Sequence, residues 1–396
     1  MQKIMTTRSR IYLTAKFGAS VILLFTLLST HKSIAQKLTL HGYQKYMNTT
    51  LFSEPKDPWL VDNMLHNRMK LNWFPSSSVT FNLEARTRLI YGDFINKLPG
   101  YARGIEQQNG YFNLSHTFSS GPSYLLHSNI DRANINWNIN NFSVTLGRQR
   151  INWAQTYVFN PNDIFNSYSF FDFDYEEKPG ADAFRLQYYP NYTSVAEVVA
   201  KIDQNEKVTL GAYYRFNKWS YDWQLLGGML QEQNWVAGFG WAGAIKQVGF
   251  TGEVTLIAPK NTIWEDAKLL ASSGLNYFFS NSLQLQGEIF YNAYAKMTQI
   301  NSLTSFYNQT QNIKNLSFSE WSWFLQASYP IHPLLQGTLG AMYYPDYEMY
   351  FLMPSFSYSL ADNYELAIYA QRFSGDFGSG ISDQLNLVFL RFRWSF

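Results

Sequence analysis

The charged side chains of this sequence recur at every second position of segments that are otherwise apolar and aromatic. Asn82, Glu84, Arg86 and Arg88 share one face of such a segment, and Val79, Phe81, Leu83 and Ala85 the other. Arg68, Lys70 and Asn72 oppose Met69, Leu71 and Trp73 in the same way, as Gln284, Gln286 and Glu288 oppose Leu283, Leu285 and Ile289. Guanidinium forks next to carboxylates support ion pairing and the recognition of planar carboxylate or phosphate groups. The arginines are also segregated. After residue 35, eight of twelve precede residue 190: Arg68, Arg86, Arg88, Arg103, Arg132, Arg148, Arg150 and Arg185. None lies between Arg215 and Arg372, where Glu253 and Glu288 are the inward charges. This distribution predicts a basic wall and an acidic wall facing each other, with a transverse field between them.

Catalytic chemistry is poorly served by comparison. The histidines beyond residue 35 are His41, His66, His116, His127 and His332. Ser115 and His116 are adjacent rather than suitably spaced, and His127 near Asp131 lacks a nucleophile motif. Cysteine is absent, which removes thiolate chemistry and Cys-based metal sites. Asp172, Asp174 and Glu176 have the oxygen density for Ca²⁺ without the glycine-punctuated spacing of a calcium loop. No catalytic residue, cofactor or metal is assigned, and an enzyme of lipase or protease type is the least favoured reading.

The elements that carry these residues read as β-strands. Period-two alternation separated by turn signals gives eighteen segments, from 38–50 to 383–396. Sixteen is the alternative, because the pairs around 193–217 and 333–360 have weak phase. The connections sort by side. On one side they are tight, as at Pro75–Ser78, Asn138–Asn141 and Lys246-Gln247. On the other lie the long ones, 51–63, 93–123, 152–180, 258–265, 298–318 and 374–382. An even strand count with short turns on one side and long loops on the other predicts an all-β, transmembrane, antiparallel up-and-down β-barrel. A charge on the lipid face near the midplane costs about 2–4 kcal/mol, so the charged face looks inward.

Export fits this fold. Lys3, Arg8, Arg10 and Lys16 precede the apolar run Phe17–Leu28, and Ser33-Ile34-Ala35 offers a cleavage site, so residues 1–35 read as a signal peptide and 36–396 as the barrel. That cleavage removes five basic and no acidic residues, turning the formal charge from +2 to −3 and leaving no case for nucleic-acid binding. Aromatics make up 18% and charged residues only 15%, below the roughly 25% of soluble domains. No later segment approaches eighteen consecutive apolar residues, which excludes spanning helices. The last segment alternates Val388, Leu390, Phe392, Trp394 and Phe396 and is expected to close the barrel in lipid and to be read by the barrel-assembly machinery. Too few residues precede the first strand for a plug domain.

One stretch breaks the alternation. Phe142, Val144 and Leu146 face lipid, so simple parity would send Arg148 and Arg150 outward too. Ala133, Ile135 and Trp137 put Asp131 in the same position on the preceding strand. Either a bulge at Gly147 and a matching phase shift bury an Asp131–Arg148/Arg150 cluster, or these residues sit at the extracellular rim. The segment from Gly147 to Asp163, with its GRQRINWAQ run and its FNPND ending, resembles a motif of porin-like outer-membrane barrels. Its Gly-Arg-Gln start is also similar to alginate-export-type barrels, which are arginine-lined and eighteen-stranded. Ala154 stands where related members often carry Gly. The resemblance covers residues 142–166 and implies passive or facilitated transport of small hydrophilic solutes, with anionic ones suggested by the arginines. Polysaccharide export is the alternative. The loop that follows, 160–182, is rich in acids and aromatics and is expected either to fold into the lumen or to cap itself outside. Outer-membrane lipid and the solutes are the remaining partners, and homo-oligomerisation stays open.

Overall fold

A computed structural model describes residues 37–108, 110–166, 179–262, 265–295, 312–376 and 382–396. Nineteen strands occur among them: β1 (Leu38–Phe52), β2 (Leu60–Ser76), β3 (Val79–Gly92), β4 (Ser115–Gly121), β5 (Tyr124–Ile139) and β6 (Phe142–Gln149). They continue with β7 (Ala181–Asn191), β8 (Ser194–Ile202), β9 (Val208–Lys218), β10 (Tyr221–Leu230), β11 (Asn234–Ile245), β12 (Val248–Pro259) and β13 (Lys268–Phe278). The last are β14 (Gln284–Asn292), β15 (Trp321–His332), β16 (Leu335–Tyr344), β17 (Met349–Ala361), β18 (Tyr364–Asp376) and β19 (Ser382–Ser395). All but β4 form one closed antiparallel barrel in which sequence neighbours pair, and β1 pairs with β19 to shut it. Closure leaves no unpaired edge, which is the condition for crossing hydrocarbon with strands. The eighteen expected strands are these eighteen.

Alternation sets which face each side chain takes. Along β15 Trp321, Trp323 and Leu325 are exposed outward, while Ser322 and Phe324 are buried. The same exposed apolar row appears on β16 (Leu339, Tyr343) and β19 (Leu390, Phe392, Trp394). The seam is finished by paired backbone bonds between Gly42 and Phe396, both 2.9 Å. Short turns use left-handed residues at Asn140, Trp219, Ser220 and Lys246, as two-residue hairpins require, and at Ser282 to close a three-residue loop.

β4 is the one strand not anticipated. It arises from the connection 93–123, which also carries two short helices, α1 (Asp93–Lys97) and α2 (Tyr101–Glu106). β5 pairs with β3 from Tyr124 to Trp137, with a slip at Asp131, but with β6 only from Ala133 to Ile139. Above that, β4 forms a hairpin with β5 through Ser115–Gly121 and Tyr124–Asn129. β4 therefore continues the place in the wall that β6 vacates at mid-height. A bridge between Gly110 and Asp203 ties this segment to the end of β8.

Candidate functional site

The chain leaves the wall after Gln149, and three features produce the departure. Gly147 has φ +111°, and a Cβ there would lie 2.3 Å from the Ala133 carbonyl oxygen, so only glycine fits. The register between β5 and β3 slips, Glu84 opposing Arg132 and Ala85 opposing Ile130, which makes Asp131 the bulged residue. The pairing of β6 with β5 and β7 runs unbroken through Gly147. The expected bulge thus lies one strand earlier, and Gly147 supplies the twist instead. Third, Arg148 stitches the gap. Its Nε and Nη2 donate to the two carboxylate oxygens of Asp182 at 2.7 Å each, and further bonds reach the carbonyls of Phe112 and Ile130 and the side chain of Gln108. Gln149 Nε2 donates to Ala183 O at 2.9 Å.

The expected Asp131–Arg148/Arg150 cluster does not form. Asp131, 2% exposed, pairs with Arg68 at 2.8 Å and Arg86 at 3.5 Å. Arg148 serves Asp182, and Arg150 is exposed. The reason is the bulge: it turns Asp131 toward β2 and β3, while the twist at Gly147 aims Arg148 at β7.

From Ile151 to Asn166 the chain folds into the barrel and lies along the inner face of β8 to β14. Ile151 and Trp153 turn to the wall, alternating with exposed Arg150 and Asn152. Trp153 Nε1 donates to Glu197 at 2.7 Å, its carbonyl accepts from Gln224 at 3.0 Å, and its ring stacks on Tyr213 at 5.1 Å. Phe159 stacks on Phe290 at 4.8 Å. These rings join Ile164 and Phe165 in a buried apolar cluster with Val199, Leu226, Ile257 and Leu270. Glycines make room beneath: a Cβ on Gly211 would meet the Trp153 ring at 2.6 Å, and one on Gly238 would meet Asn162 at the same distance. Asn166 Nδ2 donates to Ile151 O at 2.6 Å and ties the two ends of the loop together.

Two carboxylates hold the middle of the loop. Glu253 accepts from the backbone N–H of Gln155, of Thr156 at 2.9 Å and of Asn162 at 2.8 Å. Glu288 accepts from those of Tyr157, Val158 and Phe159 at 2.8, 3.0 and 2.7 Å, and from Ser272 Oγ at 2.8 Å. Glu253 is 0% and Glu288 2% exposed. Both point inward as parity requires, but the loop covers them, so they do not present an acidic wall to water. The transverse field expected between two walls goes with that correction. Asn276 donates to the Tyr157 hydroxyl at 2.6 Å, and burial, with the Glu288 carboxylate nearby, holds that phenol above its ordinary range.

Across the lumen, the inner faces of β1, β2, β3, β5 and β19 carry the cations. Arg68 bridges Asp131 and Glu84, the latter at 2.6 Å, with Lys70 at 3.9 Å from Glu84. Arg88 donates to Ile105 O in α2 at 3.2 Å, and Arg132 to Asp131 O at 2.7 Å. Arg185 stands apart on β7, bound to Glu197 at 2.6 Å and so to the Trp153 anchor. The structure adds Lys45, Arg391 and Arg393, the last two over the rings of Tyr369 and Tyr43. Both arginines alternate with the outward Leu390, Phe392 and Trp394 of β19 and so take its inner face. Asp182, Glu197 and Asn162 were also missed, and Trp153 entered only as part of the porin-like motif; of the missed three, Glu197, a lone acid in an alternating apolar strand, carried a signal. The calcium candidates Asp172, Asp174 and Glu176, with the rest of residues 167–178, lie outside the described residues.

No family profile and no curated protein matches the sequence. Solved structures match in fold. The outer membrane protein OprD from Pseudomonas aeruginosa aligns at 10% identity over 91% of this chain and 93% of its own, with TM-score 0.57. OccAB1 of Acinetobacter baumannii aligns at 10% identity over 90% and 96%, with TM-score 0.56. OccK11 of Pseudomonas aeruginosa aligns at 9% identity over 91% and 96%, with TM-score 0.54. The chain is a transmembrane β-barrel of the outer-membrane type.

Proposed function

We propose that the protein is a channel in the bacterial outer membrane that passes small hydrophilic solutes by passive or facilitated diffusion and favours anionic ones. One observation carries this reading: the loop's polar backbone is turned into one wall, leaving the inner face opposite it with Arg88 and Lys70 partly exposed to the lumen and Arg68 and Arg86 buried behind them in ion pairs. Solutes bearing carboxylate or phosphate match guanidinium forks in geometry and charge. Acidic sugars and small carboxylates are the solutes to try first. The chemistry proposed is transport without catalysis. Residues 1–35 act as the export signal, and β19 with Phe396 is the segment presented to the assembly machinery.

Single-channel recording in planar bilayers tests the reading. A stable conductance with an anion-selective reversal potential is the expected result. No conductance from correctly folded, heat-modifiable barrel would overturn the channel, and cation selectivity would overturn the choice of solute.

A further inference from the structure

We propose that Glu253 and Glu288 form a proton-operated latch: when both are ionised they hold residues 154–158 against the wall, and their protonation releases that span into the lumen and narrows it. The consequence for flow rests on the channel reading; the latch itself does not.

The geometry divides the loop into pinned ends and a held middle. Ile151 and Trp153 at one end, and Phe159, Ile164 and Phe165 at the other, are buried in the apolar cluster. Between them, Ala154 to Val158 contribute no residue to that buried cluster, although Val158 packs at its edge. Their attachment is polar: the N–H groups of Gln155 and Thr156 on Glu253, those of Tyr157 and Val158 on Glu288, and the Tyr157 hydroxyl on Asn276. Phe159 and Asn162 add two more N–H donors, so two side chains satisfy six backbone groups. Among the described residues neither glutamate has an ion-pair partner. The amides and one serine hydroxyl are what stabilise the two charges.

A carboxylate accepts from several donors at once, whereas a protonated carboxyl gives up acceptor capacity and brings a donor of its own. Protonating the pair therefore sets an O–H against a row of N–H groups in a buried place. The span can satisfy those N–H groups only by meeting water, and water lies on the lumen side.

The surroundings contain few other switches. Tyr157 on the loop faces Glu288, and Tyr213 on β9 faces Glu253. Glu197 on β8, with its partner Arg185, lies beyond Tyr213, and Arg215 and Asp222 bear on Tyr213 from the strand ends. β10 brings Gln224 to the loop and β13 brings Ser272, neither of them ionisable.

Hydrogen–deuterium exchange on the folded barrel reads the latch without transport. Protection of the amides of residues 155–159, corrected for intrinsic rates, should fall about tenfold between about pH 8 and about pH 4.5. Protection of β5 should not change. In the E253Q/E288Q variant the same amides should be poorly protected at both pH values. In bilayers the wild-type conductance should drop over that range, and the double variant should stay low throughout. Unchanged wild-type protection overturns the latch, as does a double variant that keeps the pH-dependent loss. Should the variant fail to assemble, the wild-type exchange alone decides. Protection that responds to pH in a barrel that never conducts supports the latch and overturns the channel.

Discussion

The two inner walls handle buried carboxylates in different ways. On the β2–β3–β5 side Asp131 and Glu84 are neutralised by guanidinium groups on neighbouring strands. On the β12–β14 side Glu253 and Glu288 are met by backbone N–H groups of a segment distant in sequence. The first arrangement joins strand to strand and leaves a cation-bearing surface. The second joins a loop to the wall and uses up the charge. A glutamate facing inward therefore reveals nothing about the field in the lumen until its partner is known.

Breaking the ion-paired side has the largest expected effect. Asp131→Asn leaves Arg68 and Arg86 short of a buried counter-charge, at a cost of about 3–5 kcal/mol. Urea unfolding in lipid vesicles should show it. A loss below about 1 kcal/mol would mean that Glu84 alone suffices and that the walls differ less than the geometry implies.

Trp153→Ala tests the loop side and ranks next. It removes a ring that is 1% exposed together with its bond to Glu197, a loss of about 3 kcal/mol confined to the loop. Limited proteolysis should cut within 151–166 while the strands stay resistant. Global unfolding at the Asp131→Asn midpoint would show instead that the loop holds the barrel together.

Gly211→Leu sharpens the same point with a smaller effect. The new side chain would enter the space of the Trp153 and Phe165 rings, an overpacking cost of about 1–3 kcal/mol. The loop should lift while the pairing of β9 with β8 and β10 persists. Exchange protection of residues 151–159 is the readout, and a loop still protected would mean the wall yields rather than the loop.

The strands were legible because lipid enforces alternation at every position, and Trp321 to Leu325 illustrates how plainly it is written. β4 was not legible. Its SHTFSSG sequence has little apolar alternation, and its place exists only because β6 stops early. The anomaly at Asp131 and Arg148 was readable as broken parity, yet its resolution needed the third dimension. Which residue bulges depends on the register with β3, and which acid Arg148 reaches depends on β7. Glu253 and Glu288 were readable as inward but not as covered, because the groups that cover them are backbone amides, which every residue except proline carries and no sequence distinguishes.

The smallest structural effect is expected where the functional one is clearest. Arg88 is half-buried and donates to a carbonyl of α2, while its β3 neighbour Arg86 leans on Asp131. Arg88→Gln keeps an amide donor for that carbonyl, so stability should shift by no more than about 1 kcal/mol. The positive charge next to the lumen is nevertheless gone, and charge on a narrow aqueous path acts on ions whether or not it holds the fold. The reversal potential in a salt gradient should move toward cations, further in Arg86→Gln/Arg88→Gln, and the shift should shrink at high salt as screening grows. Arg148 is left out of this variant because its bonds to Asp182 and Phe112 make it part of the wall. An unmoved reversal potential in a folded Arg86→Gln/Arg88→Gln barrel would make the basic wall, like the acidic one, a means of holding the barrel together.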